Sequence, residues 1–414
     1  MAKHALLSAS SAHRWLNCPP SAKLSSTYQD TSSEFARQGT DAHSLCEYHL
    51  QKALGMLAED PTENLTFYNQ EMEECAQGYA AYVMEQVEKA GVKATIFDGV
   101  IPNPTNEVVE EAAAIAKEAQ VDGFVAAGGG SSIDLAKAIN VLMTNPGTIG
   151  EYGGMGMVKN PCLPLIAIPT TAGTSSEITN VSALIDTEKV IKYVVIDNNI
   201  VASDVIADPD FTRTVPAGVT AATGMDAITH AVESYISNMA TPLTEYNSLK
   251  GLEILHKNLA KVVKDGSDMD AREQMMLGCI ITGFGFSNAN LGLVHGIAHT
   301  LSAHFGLAHG MANATVLPYV MEYNADSCPE KMVDLARAIN LPVSGNLDED
   351  KLLLAKELKN LTAELGIKTL SEQGIEKKDF DMLAEDVLKE PVLGFNPRQN
   401  ITKEDILSIL EKAF

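Results

Sequence analysis

Histidine carries the strongest chemical signal in this 414-residue sequence. Ten are present, and four fall between positions 295 and 309: His295, His299, His304 and His309. His295 and His299 are four apart and share a helix face, whereas His304 is rotated about half a turn from His295 and faces away. Asp226 and His230 repeat the i, i+4 spacing, so one helix face can clasp an ion between them. Any one such pair is more often a core or capping feature than a ligand set; the clustering is what points to metal. Together with His309, these side chains offer oxygen and nitrogen donors and no thiolate. That donor set suits a divalent first-row metal with a position left open for a substrate oxygen.

Two loops carry a second kind of chemistry. In Val125-Ala126-Ala127-Gly128-Gly129-Gly130-Ser131-Ser132-Ile133-Asp134, a strand-like run ends in three glycines and a helix begins at once. Glycines let backbone approach a phosphate closely, and the helix start offers free N–H groups and partial positive charge. The spacing is not GxGxxG, so the turn alone does not specify a dinucleotide. Further on, Pro169-Thr170-Thr171-Ala172-Gly173-Thr174-Ser175-Ser176-Glu177 is dense in hydroxyls and small residues. It suits hydrogen bonds to a ribose, a diphosphate or a nicotinamide amide; taken alone it is a polar loop.

The elements that must hold these groups form three stretches. Residues 1–90 show little strand pattern and read as mostly helical, with helices expected over 34–54 and about 69–90, the second stopping at Gly91. Residues 91–207 alternate strand and helix: Ala94–Val100 as a β-like run, Asn106–Glu118 as a helix, Gly123–Ala127 as a strand, Ser131–Met143 as a helix, Pro164–Ile168 as a strand. That order implies a parallel sheet with helices on its faces. Val181–Ile185 and Ile191–Ile196 read as a hairpin appended to that sheet. Residues 208–414 carry helical periodicity over 218–236, 243–264, 271–288, 294–304, 309–323, 351–365 and 403–413. The expected fold is thus α/β, an incomplete doubly wound parallel sheet of nucleotide-binding type, followed by an all-helical metal-binding domain.

Composition narrows the function classes. Acidic residues outnumber basic ones 54 to 30, a net charge of −24 that repels phosphate backbones and argues against nucleic acid as a partner. No run approaches the roughly 18 apolar residues of a membrane helix, and the N-terminal apolar run is too short for a secretory signal. A cytoplasmic protein is expected. The six cysteines contain no CxxC pair and read as reduced thiols.

From about Gly91 to Phe414 these motifs resemble the iron-dependent alcohol dehydrogenases. FDGVIPNPT (98–105 with its lead-in), GGGSSIDLAKAI (128–139), PTTAGTSSEIT (169–179), ATGMDAITHAVESY (222–235), GFSNANLGLVHGIAH (285–299) and AHGMANATVLP (308–318) agree in order. The resemblance implies metal ligands at Asp226, His230, His295 and His309, and a proton-conducting role for His299. It implies a nicotinamide-cofactor site, for NAD or NADP, at Gly128, Gly129, Gly130, Ser131, Ser132, Asp134, Thr170, Thr171, Thr174 and Lys192. Ser175 stands where the family often has Gly, and Ala308 where a Pro commonly precedes the last ligand; neither removes a functional group. The implied reaction is reversible hydride transfer between a small primary or secondary alcohol or aldehyde and NAD(P), with Fe²⁺ as Lewis acid and Zn²⁺ compatible with the same donors. Homodimers are common among such proteins and are an expected assembly.

The front of the chain departs from that family. LSASSAHRWLNCPPSAKL (7–24) and GTDAHSLCEYHL (39–50) resemble the opening of a phage protein of the RecB-like nuclease superfamily, in which His43 would match a metal ligand. The carboxylate motifs that perform its phosphodiester chemistry are not found downstream, so the chain reads as a fusion. The family's first strand is not seen, which predicts unpaired neighbours in the sheet and weakened cofactor binding. Three other readings stand beside the leading one: a zinc-dependent enzyme like glycerol dehydrogenase, a phage nucleic-acid module with the rest as passenger, and a fusion without activity.

Overall fold

The computed structural model describes Gly91, residues 93–97 and residues 99–414. The helices expected over 34–54 and 69–90, the nuclease-like motifs with His43, and the fusion reading lie outside the described residues.

The α/β part begins with helix α1 (Asn106–Ala119), which buries Val109, Ala112, Ala113 and Ala116 along one stripe. It ends at Gln120, whose positive φ of 55° breaks the helix. Strand β1 (Phe124–Gly128) then leads into helix α2 (Gly130–Thr144). Strands β2 (Gly154–Met155), β3 (Leu165–Pro169), β4 (Val181–Asp186), β5 (Ile191–Ile196) and β6 (Asp204–Val205) follow. β1, β3 and β6 form a parallel sheet in that order, with Phe124 opposite Leu165 and Gly128 opposite Pro169. Gly128 and Pro169 therefore end neighbouring strands side by side, and both sequence-identified loops start at one end of the sheet.

Two expectations need correction here. The hairpin β4–β5 does not extend the parallel sheet: β5 pairs with β2, giving a separate three-stranded sheet. The described residues of Ala94–Val100 are not a strand. A β-branched run becomes a strand only with a pairing partner, and Gly99, Pro102 and Pro104 weaken or remove ladder donors. The first pairing in this region is the single bridge from Thr105 to Ile185. Among the described residues β1 pairs only with β3, and its Val125 is 66% exposed.

The helical part comprises α3 (Ala217–Ile236), α4 (Pro242–Lys264), α5 (Met269–Ala289), α6 (Leu293–Phe305), α7 (His309–Asn324), α8 (Pro329–Ala338), α9 (Leu347–Asp350), α10 (Leu353–Glu364), α11 (Phe380–Val387) and α12 (Lys403–Ala413). α8, α9 and α11 were not expected from periodicity. α3 is its axle: every residue from Gly224 to Ile236 is buried, and α4, α5 and α7 pack around it. A helix apolar on all sides belongs inside a core, so the polar residues it carries are buried by design of the sequence. No single described helix is long and apolar enough to cross a membrane.

Candidate active site

Asp226 and His230 lie one turn apart on α3, both buried. His230 is held flat by stacking on Phe286 of α5, ring centroids 4.2 Å apart. α6 brings His295 over the same spot, 4.9 Å from the His230 ring. Asp226, His230 and His295 each present one ligand atom within 4.8 Å of the others. His309, first residue of α7, completes the approach: Nε2 of His230, His295 and His309 lie 3.9, 3.9 and 3.8 Å from Asp226 Oδ1. Two atoms bound to one ion at about 2.1 Å each lie at most about 4.2 Å apart, so these separations suit a shared cation. His309 is outside the tightest trio and is the least buried member, with its side chain 21% accessible.

The residues fit a metal on two further grounds. Burial holds His295 and His309 well below the ordinary imidazole range, so both offer neutral lone pairs. Glu233, one turn beyond His230, accepts from the Val294 N–H at 2.7 Å through Oε1 and meets His295 Nδ1 at 2.6 Å through Oε2. It caps the start of α6 and turns His295 Nε2 toward the other donors. Sequence reading missed Glu233, although Asp226, His230 and Glu233 follow i, i+4, i+7 on one helix face.

His299 stands one turn along α6. Its ring lies 5.9 Å from His295 and 5.5 Å from His309, and its Nδ1 faces Glu390 Oε2 at 3.2 Å. His304 is paired with Asp386 at 2.8 Å, away from the cluster as its helix position requires.

The two polar loops interlock at the end of the parallel sheet. The Thr170 N–H donates to Gly128 at 2.9 Å. A Cβ on Gly130 would lie 2.5 Å from the Thr174 methyl, and one on Gly129 would touch the Thr171 hydroxyl at 3.3 Å. Gly128 to Ser132, Thr170, Thr171 and Thr174 are thus brought together. Asp134 is turned from this turn toward the hairpin: its Oδ2 accepts from the Ala183 N–H at 3.1 Å, while Oδ1 is buried and unpartnered. Lys192 reaches the turn indirectly. Its Nζ donates to Asn103 Oδ1 at 2.9 Å, and the Asn103 N–H donates to Ser131 at 3.2 Å. Burial pushes the Lys192 ammonium down to about 8, against the pull of the Asp226, Asp134 and Glu390 carboxylates. Lys192 therefore sits within electrostatic reach of both the metal ligands and the glycine turn.

Lys137 was also missed. It is fully buried, and its Nζ donates to the carbonyls of Ser176, Thr179 and Val181 at 2.5, 2.7 and 2.8 Å. The hydroxyl-rich loop is thereby stapled to α2. A lysine three residues after Asp134 on a helix behind a glycine turn is the signal that was present.

A parallel α/β sheet ending in a phosphate-type turn, beside a helical bundle that gathers an oxygen and three imidazoles, defines a metal-dependent dehydrogenase. The comparisons agree. The model of the iron-containing alcohol dehydrogenases matches residues 50–209, and that of the C-terminal part of the Fe-containing alcohol dehydrogenase family matches residues 220–414. The first match begins inside the stretch set apart as 1–90. The lactaldehyde reductase of Escherichia coli strain K12 is 39% identical over 341 residues, covering 81% of this chain and 88% of that protein. The 1,3-propanediol dehydrogenase of Klebsiella pneumoniae is 38% identical over 334 residues, covering 80% and 86%. Among solved structures, the alcohol dehydrogenase from Oenococcus oeni matches with a TM-score of 0.78 and 33% identity over 90% of this chain and 96% of that one. This chain belongs to the iron-containing alcohol dehydrogenase family, and it is an oxidoreductase acting between alcohols and aldehydes. The zinc-dependent alternative is not favoured by these relatives.

Proposed function

We propose that this protein reversibly interconverts a short aliphatic alcohol or diol and its aldehyde with NAD as hydride carrier and Fe²⁺ held by Asp226, His230, His295 and His309. The observation that carries the reading is the convergence of three Nε2 atoms at 3.8–3.9 Å on one Asp226 oxygen. The substrate class is supported by relatives named for lactaldehyde and 1,3-propanediol. When bound, the ion supplies Lewis acidity toward the substrate oxygen and the nicotinamide supplies or takes the hydride.

The chain's own residues do the rest. Gly128 to Ser132 offer backbone N–H groups at the start of α2 to the diphosphate, and Thr170, Thr171 and Thr174 offer hydroxyls beside them. Lys192 adds positive charge next to that turn. Asp134 holds the hairpin against α2 and so positions the turn. His299 passes a proton to or from the substrate oxygen through Nε2, with Glu390 behind its Nδ1. The protein is read as a cytoplasmic homodimer, which light scattering on the purified chain tests. The function itself is tested by aldehyde reduction with and without Fe²⁺ and with each nicotinamide cofactor. Iron-dependent oxidation of NADH by short aldehydes is expected; equal rates after chelation would remove the metal from the reaction.

A further inference from the structure

Asn313 is the residue at this centre that the reading above leaves without a task. It lies on α7, one turn after His309 and on the same face, and is fully buried. Its amide nitrogen donates to Asp226 Oδ1 at 2.6 Å and lies 3.2 Å from His295 Nε2 and 3.3 Å from His309 Nε2. Its own Oδ1 is buried with no partner. One NH₂ group thus faces three of the four atoms assigned to the metal: one N–H donates to Asp226 Oδ1, and the other is shared between the two imidazole nitrogens.

The chemistry of those atoms makes the contact exclusive. Glu233 takes the Nδ1 side of His295, so Nε2 has a single lone pair facing the site. That lone pair either accepts from the amide or binds an ion, and His309 Nε2 meets the same choice in the tautomer that carries its proton on Nδ1. An NH₂ group is also the neutral side-chain donor closest to a cation in what it offers: positive density toward a carboxylate and imidazole nitrogens. Without it, a carboxylate oxygen and two imidazole lone pairs would face one another in a buried pocket with nothing between them, which is costly.

We propose that Asn313 is a placeholder for the metal: its amide holds Asp226, His295 and His309 in register and leaves the two imidazoles when an ion takes their lone pairs. This inference rests on the metal-site assignment above. It differs from an ordinary supporting role in the sign of its effect. A residue that merely buttresses the ligands strengthens metal binding, whereas a placeholder stabilises the metal-free protein and competes with the metal.

Asn313→Ala separates the two. The readouts are thermal unfolding of metal-free and Zn²⁺- or Fe²⁺-loaded protein, and the metal dissociation constant by chelator competition. The metal-free variant is expected to melt several degrees below wild type, the loaded variant much closer to it, and metal binding to tighten about three- to tenfold, the worth of about one hydrogen bond. Unchanged or weakened metal binding overturns the proposal. Should the variant not fold, a crystal structure of the metal-loaded wild type decides. The Asn313 amide rotated away from both imidazoles supports the placeholder, and the side chain unmoved beside a bound ion refutes it. If wild type binds no metal in the chelator assay, the metal-site assignment itself has failed.

Discussion

Glu233 and His295 are joined by a contact of 2.6 Å between Oε2 and Nδ1, and the same carboxylate caps the helix that carries His295. One side chain on α3 therefore sets both where α6 begins and which imidazole nitrogen faces Asp226. Burial pushes the Glu233 carboxyl up to about 7, and the backbone N–H groups of Gly292, Val294 and His295 favour its charged form.

Glu233→Gln reverses that tautomer. The Val294 N–H still requires an acceptor, so the amide oxygen takes the Oε1 position and the NH₂ faces His295 Nδ1. The imidazole proton then moves to Nε2, which no longer has a lone pair for a metal. Metal affinity is expected to fall about 10- to 100-fold with little change in helix content. Chelator competition and circular dichroism check this, and wild-type affinity would show that Glu233 does not orient His295.

His309→Ala removes the most exposed of the four assigned ligands. The remaining trio, Asp226, His230 and His295, stays within 4.8 Å but loses one donor. Metal retention and turnover are expected to fall together, each by at least about a hundredfold. Iron content after gel filtration, read beside kcat, makes the check; full activity in the metal-poor variant removes the assignment.

The i, i+4 pairs were readable because a single helix contains their geometry. Joining Asp226 and His230 to His295 and His309 needed the packing of α3 against α6 and α7, which no spacing contains; the family motifs supplied it. Glu233 and Asn313 lie inside quoted motifs, yet a carboxylate or amide on a helix reads as solvated surface until its burial is known. Periodicity found the long helices and missed α8, α9 and α11, ten, four and eight residues long, where few turns establish a period. The hairpin was found, but not its sheet, because the strand that pairs with β5 is only the two residues Gly154 and Met155, too short to show a period.

Lys192 sets a pH dependence of opposite sign for stability and binding. Its folded value of about 8 lies below the roughly 10.4 of an unfolded lysine. Between those values the unfolded chain holds the extra proton, so this group's contribution to stability rises with pH across the window. The positive charge offered to a dinucleotide falls over the same range. Dinucleotide affinity is expected to weaken as pH passes through 8, and Lys192→Met to be weak and flat across it. Fluorescence titration of NADH from pH 7 to 9 tests this; a wild-type profile retained in the variant assigns the effect elsewhere.

Gly310→Ala pits two physical rules against each other. Gly310 is in the first turn of α7 with no positive φ, so helix propensity alone predicts that Ala stabilises by about 1 kcal/mol. Packing predicts the reverse. A Cβ there would lie 2.4 Å from the Ala222 carbonyl oxygen and 3.3 Å from Asp226 Cβ. Backbone cannot rotate aside as a side chain does, so α7 must move off α3 and carry His309 from Asp226. Overpacking of this kind costs about 1–3 kcal/mol, which outweighs the propensity gain at its upper end and at least cancels it at the lower. The variant is therefore expected to be no more stable than wild type and to bind metal more weakly, because the displaced helix carries a ligand. Urea unfolding and chelator competition measure both, and a stabilised variant with wild-type metal affinity would mean that α3 and α7 do not need this close approach.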